Sequence, residues 1–121
     1  ATVFHLVTTI VGKLKEGLGA ADSIPAAFPG GSITGAPKIR AMEIIDELEH
    51  DRRNLHTGSM GYFSFDGNCD LNIVIRTAIH KDNRYYLGVG GGITCESDLE
   101  FEYEETLQKA RAVLEALWEE A

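Results

Sequence analysis

The stretch FPGGSITGAPKIRAMEIIDELE, residues 28–49, restricts the fold more than any other part of this chain. A glycine-rich turn runs straight into an amphipathic helix, so a loop and a helix N-terminus must share one place. Gly30, Gly31 and Gly35 permit φ > 0 and a close backbone approach. Thr34 is the expected N-cap, with Pro37 in the first helical turn, where a missing N–H is tolerated. Ile39, Met42, Ile45 and Leu48 recur at helical spacing and mark the face expected to be buried. Backbone N–H groups at the positive end of a helix suit a carboxylate or a phosphate, although a well-capped surface helix uses the same residues. The pattern is not a P-loop, because neither Ser nor Thr follows Lys38.

The rest of the chain alternates strand and helix signals. Residues 2–15 (TVFHLVTTIVGKLK) are β-branched and loosely alternating, so they read as a strand that includes His5. Residues 17–28 read as a turn and a short helix, capped by Asp22 or Ser23, with Pro25 in its first turn. Residues 50–57 (HDRRNLHT) are a polar connection in which Arg52 and Arg53 read as solvated charges or as a complement to the preceding helix dipole. Residues 58–65 and 69–80 read as two strands around the turn Asp66-Gly67-Asn68. Leu71, Ile73 and Ile75 then share one face, and Asn72, Val74 and Arg76 the other. Arg76 ends an apolar run and is costly to bury unpaired, so a buried salt bridge is one way to satisfy it. Asp82-Asn83 is a further turn before a strand over 84–89, which ends in Gly90-Gly91-Gly92, a run that by itself marks no more than a bulge.

The last element is a long helix opened by a Ser97–Glu100 capping box and continuing to about residue 119. Its apolar stripe is Tyr103, Leu107, Ala110, Leu114 and Leu117. Glu102, Glu105 and Lys109 fall together on a neighbouring face. On spacing alone this is a solvated face with a Glu105–Lys109 pair worth about 0.3–0.5 kcal/mol.

Charge and length bound the function. A net charge of −8 argues against a nucleic-acid surface or an anionic membrane as partner, and an anionic ligand would need local positive charge or a metal. No apolar run approaches a membrane span, and no signal-peptide pattern opens the chain. One domain over residues 1–121 is the natural reading, with 44% apolar residues to build a small core. Cys69 and Cys95 sit far apart in sequence, and nothing in the residues themselves excludes a disulfide.

Four segments together carry a resemblance: FPGGSITGAPKIRAMEIIDELE, GSMGYFSFDGNCDLNIVIRTA, GGGITCESDLEFEYEET and KARAVLEAL. They resemble the chorismate-utilising enzymes, the family of the anthranilate synthase and aminodeoxychorismate synthase large components. The resemblance runs over nearly the whole chain and implies that these residues are the C-terminal portion of the family's catalytic domain. Within the family, FPGGSITGAPK, GYFSFDGNCDLNIVIRT and GGGITCESD are most similar to the folate-branch aminodeoxychorismate synthases, with the tryptophan-branch anthranilate synthases as the alternative.

What the resemblance implies can be placed residue by residue. His5, in a strand ahead of the glycine-rich turn, matches a catalytic histidine near the departing ring hydroxyl; from its strand position alone it is a surface or hydrogen-bonded core residue. An imidazole that titrates near neutrality can give that hydroxyl a proton. Ser32 matches a substrate-contacting serine or threonine, and its ordinary role is a turn hydroxyl bonded to its own backbone. Arg76 matches an arginine that grips a substrate carboxylate, Gly90, Gly91 and Gly92 match amides that meet one, and Lys109 matches a lysine near the carboxylates. Glu102 and Glu105 match two glutamates of the family's Mg²⁺ site, whose other ligands lie upstream. His56 stands where many members carry an aromatic residue beside the substrate, a departure that keeps it out of the expected site.

The implied partners are chorismate and a glutamine amidotransferase subunit that delivers ammonia, in the cytoplasm. The same resemblance implies that Cys69 and Cys95 are reduced thiols packed in or near the sheet. A reading of another class is an inactive piece that folds and self-associates through exposed sheet edges. The expected fold is α/β in the α+β sense: a mainly antiparallel sheet of about four strands with helices packed on one face, part of a larger two-sheet architecture.

Overall fold

The computed structural model describes residues 7–118. Along the chain lie α1 (Ala20–Ala27), α2 (Gly31–Thr34), α3 (Lys38–Leu48), β1 (Ser59–Phe63), β2 (Cys69–Ile73), β3 (Ala78–Lys81), β4 (Arg84–Leu87) and α4 (Leu99–Trp118). Helices and antiparallel strands thus make a mixed α+β fold, as expected. The four strands pair as two separate hairpins, β1–β2 and β3–β4.

The N-terminal strand does not form over the residues described. Residues 7–15 carry no regular structure, and Val7, Ile10 and Val11 are 84–90% exposed. A β-branched run favours a strand only where a neighbouring edge takes its N–H and C=O groups, and none does so here. α1 starts earlier than expected. Gly19 precedes it, Asp22 accepts the Gly19 N–H at 2.7 Å from the third helical position, and Pro25 therefore falls inside the helix.

The glycine-rich stretch is broken into two helices. α2 is a single turn closed by Gly35, whose φ of +117° would strain any other residue, and a Cβ there would stand 3.0 Å from Ala41 Cβ. Thr34 caps nothing; its Oγ1 donates back to the Gly30 carbonyl at 3.1 Å. α3 begins only at Lys38, with Pro37 as N-cap, because the residue before a proline is steered away from helical backbone. Lys38 Nζ donates to the Pro29 carbonyl at 3.1 Å, tying the start of α3 to the entry of the turn. Along α3 the expected buried face is largely open: Ile39 is 68% and Leu48 70% exposed.

β1 and β2 pair in the register Ser59↔Ile73 through Phe63↔Cys69. Asp66 closes the turn by accepting the Asn68 N–H at 3.1 Å and a bond from the Ser64 hydroxyl. These bonds, the Ser64 hydroxyl first, hold its carboxyl below its ordinary value. The long strand expected over 69–80 is interrupted. The ladder extends one step past β2, with Val74 N–H on the Gly58 carbonyl and Thr57 N–H on the Val74 carbonyl, and Arg76 then turns the chain at φ +51°. β3 and β4 pair around Asp82-Asn83, whose φ values of +52° and +57° are those of a type I′ turn. Cys69 and Cys95 are free thiols, both exposed rather than packed in the sheet.

Little is buried. Val74 and Ala110 form the whole core among the described residues. The chain exposes 10857 Å², against about 6,400 Å² expected for a compact protein of its mass. Its elements therefore present apolar surface that nothing among the described residues covers.

Candidate functional site

The glycine-rich turn, the connection after α3, the break after β2, the glycine run after β4 and one residue of α4 converge on an open cleft of about 800 Å³. Ser32, Arg76, Gly90, Gly91, Gly92 and Lys109, all marked from the sequence, line it. His5 lies outside the described residues. Glu102 stands just behind the glycine run, where a Cβ on Gly91 would lie 3.3 Å from Glu102 Oε2 and 3.9 Å from Lys109 Nζ, and Glu105 is reached only through its pairing with Lys109.

This arrangement turns α4 over relative to the expected stripe. Ala110 is buried and Leu117 half-buried, but Tyr103, Leu107 and Leu114 are exposed, as is Phe101 at 67%. The half-buried residues before Ala110 are Glu102, Glu105, Thr106 and Lys109. A charged face can lie inward here because the strand end it approaches carries glycines and leaves space for long polar side chains. Lys109 Nζ pairs with Glu105 at 2.6 Å across one turn.

The start of α4 is also capped differently from the expected box. Asp98 Oδ1 accepts the Phe101 N–H at 2.9 Å and is the cap. Ser97 instead donates its hydroxyl to Glu102 Oε1 at 2.6 Å and accepts the Thr94 N–H at 3.0 Å. The other oxygen of that carboxylate, Oε2, is buried without a hydrogen-bond partner among the described residues. A buried polar atom left without a partner costs about 1–3 kcal/mol, more when charged.

Arg76 makes no salt bridge, in contrast to one sequence expectation. It is exposed within the cleft and has no ion pair among the described residues. Of the two readings of Arg53, that of a solvated charge does not hold. Glu49 grips it with both oxygens, one of them 2.7 Å from Nε, and Arg53 Nη1 reaches Thr57 Oγ1 at 3.4 Å. The Arg53 hydrogen bonds hold the Glu49 carboxyl below its ordinary value, and the same contact raises Arg53. The cleft thus meets three cations, Arg53, Arg76 and Lys109, and one lining carboxylate, Glu49. Local positive charge of this kind offsets the overall charge of −8 and favours an anionic ligand.

His56 also lines the cleft, which the sequence reading missed. Its ring packs on the backbone of Gly88, where a Cβ would fall 2.6 Å from Nδ1, so Gly88 must be glycine for the ring to sit there. Burial first, and then the Arg53 charge, push the imidazole below its ordinary value, while Glu49 pulls the other way. The departure from an aromatic residue at this position was the available signal.

Comparison of the sequence with known proteins decides the family. The chorismate binding enzyme family matches residues 1–115. The chain belongs to this family. Relatives include anthranilate synthase component 1 of Aquifex aeolicus, 49% identical over 115 residues that make up 95% of this chain and 23% of the relative. An anthranilate synthase component 1 of Haloarcula marismortui is 55% identical over 95% of this chain and 23% of its own length. Aminodeoxychorismate synthase component 1 of Escherichia coli is likewise 55% identical, over 95% of this chain and 25% of its own length. The chain therefore spans about a quarter of the length of the curated relatives it matches, and overall identity does not separate the two named activities.

The residues around Glu102 suit a hard divalent cation in part. An unpartnered, buried carboxylate oxygen is the donor Mg²⁺ prefers, and Mg²⁺ keeps waters and needs few protein ligands. Among the described residues no three or more acidic, histidine or cysteine side chains gather tightly enough to hold a metal alone. Glu105 is engaged by Lys109. Glu102 is thus the stronger ligand candidate of the two. No helix among the described residues is long and apolar enough to cross a membrane.

Proposed function

We propose that this chain is the C-terminal part of the catalytic domain of an aminodeoxychorismate synthase component 1. The intact enzyme exchanges the C4 hydroxyl of chorismate for an amino group, using ammonia from a glutamine amidotransferase in the cytoplasm. The observation that carries the reading is Arg76, a guanidinium without an ion pair among the described residues, lining the cleft beside a run of glycine amides in an acidic chain.

Chorismate is a dicarboxylate, and the lining residues meet it in kind. Arg76 offers two parallel N–H donors to one carboxylate. The amides of Gly90, Gly91 and Gly92 approach without side-chain obstruction, and Ser32 offers a hydroxyl from the glycine-rich turn. Lys109, partly neutralised by Glu105, adds charge without a fixed fork. Glu102, with Glu105 in support, would hold Mg²⁺, which when bound supplies positive charge to the ring carboxylate. His5 would protonate the C4 oxygen, so that it leaves as water while nitrogen takes its place. Holding the diacid in one orientation among fixed charges supplies most of the rate enhancement.

A second reading within the family is anthranilate synthase component 1, in which nitrogen enters at C2 and pyruvate leaves; the similarity to the Aquifex and Haloarcula enzymes favours it as strongly as overall identity can. The segments FPGGSITGAPK and GGGITCESD support the folate branch over it. For the 121 residues alone we propose inactivity, with pairing of copies through the open edges of the two hairpins. The deciding experiment incubates the full-length protein with chorismate, Mg²⁺ and ammonium and identifies the product by mass and fluorescence. Aminodeoxychorismate, with its pyruvyl group retained, is the expected product. Anthranilate with free pyruvate would move the protein to the other branch.

A further inference from the structure

We infer that Ser97 is a positioning residue for the metal ligand Glu102, a role that rests on the Mg²⁺ reading above. The geometry fixes where the single hydroxyl proton goes. Thr94 N–H occupies a lone pair of Ser97 Oγ at 3.0 Å, and Thr94 Oγ1 lies at 3.4 Å, too long to compete with Glu102 Oε1 at 2.6 Å. A hydroxyl donating to a carboxylate at this distance makes a charge-assisted bond, about twice as strong as a neutral one. It holds one carboxylate oxygen and leaves Oε2 buried, unpartnered and against Gly91.

The helix start gains nothing from this bond, because Asp98 caps α4. Ser97 reaches past its own helix turn to a residue five positions on, and it is bonded through Thr94 to the end of the glycine run that lines the cleft. Thr94 is itself a lining residue. Ser97 therefore joins the loop that meets the substrate to the carboxylate that would meet the metal. Partners of this kind orient a ligand and tune its basicity, and losing one costs about 10–100-fold in metal affinity.

The test titrates the full-length protein with Mn²⁺, a stand-in for Mg²⁺ whose free form is counted by electron paramagnetic resonance. Ser97→Ala should lower Mn²⁺ affinity about 10–100-fold, and Ser97→Thr, which keeps the hydroxyl, should recover most of it. Asp98→Ala should lower the melting temperature and leave Mn²⁺ affinity unchanged, which separates positioning from capping. Should Ser97→Ala lose its circular dichroism signal, Ser97→Cys keeps the volume, weakens the donor and carries the same expectation. Wild-type affinity in the Ser97 variants, with binding lost in Glu102→Gln, would overturn the role of Ser97 alone. Unchanged binding in Glu102→Gln would overturn the metal reading and this inference with it.

Discussion

Two residues of the cleft make separable predictions. Arg76 has no ion-pair partner among the described residues, so its replacement reports mainly on ligand. Arg76→Ala in the full-length protein should weaken chorismate binding by about 1.5–3 kcal/mol, the usual worth of a hydrogen bond to a charged group. Arg76→Lys should recover only part of it, because an ammonium cannot reproduce the fork. Isothermal titration distinguishes both from a stability effect read by thermal melting. His56 makes a prediction about pH. Its folded pKa lies below its ordinary value of about 6.5, so the unfolded state binds the proton more readily. Stability is then greatest above the ordinary value and falls as pH drops from there through the folded value. Melting temperatures at pH 5 to 8 should show that slope in the wild type and a shallower one in His56→Gln. The Glu49–Arg53 pair does not blur the comparison, since a depressed carboxyl acts in a lower window. Gly88→Ala should displace the His56 ring and destabilise by about 1–3 kcal/mol, and the double variant with His56→Ala should cost less than the sum.

Among the elements, the break between β2 and β3 and the orientation of α4 have most consequence for the site. LNIVIRTAIH reads as one continuous strand, and nothing in its propensities announces Arg76 at positive φ. The break lifts Arg76 out of the ladder and into the cleft, where a regular strand would have left its side chain on the sheet face with Asn72 and Val74. For α4 the reading failed in the opposite sense. Periodicity located the helix and grouped Glu102, Glu105 and Lys109 correctly on one face, but apolar residues were assumed to point inward. That assumption needs an apolar neighbour, and the neighbour here is a polar cleft edged by glycine. The caps show the same pattern at smaller size. Thr34, Ser97 and the Asp22–Ser23 pair were all recognisable as capping chemistry, yet Thr34 and Ser97 bond elsewhere, and Asp22 serves the cap position at Gly19. A side chain with several reachable partners is assigned by distance, and sequence spacing gives only the candidates.

At the scale of the whole molecule, the exposed apolar surface predicts behaviour in solution. With Val74 and Ala110 as the buried core among the described residues, the 121 residues alone cannot offset much of the conformational entropy of folding. The isolated chain should bind the dye ANS, melt over a broad range and turn over no chorismate. The full-length protein should bind little dye and melt sharply. A cooperative, dye-free melt of the isolated chain, followed by circular dichroism, would show that these elements cover one another after all. The two hairpins give such a chain free edges for pairing, so light scattering should find species larger than the monomer.

The sequence by itself determined the family through resemblance, and it located a helix after the glycine-rich stretch, the two hairpin turns and the extent of α4. The elements follow from local chemistry: glycine where φ must be positive, Asp-Gly-Asn and Asp-Asn turns, and helical spacing over 20 residues. It also nominated six residues that the fold gathers around one cleft. Only the tertiary structure decided that His56 and Arg53 join them, that Arg76 has no ion pair among the described residues, and that Ser97 holds one oxygen of Glu102 while the other faces Gly91. Such facts depend on distances between elements, which packing fixes and local propensity does not.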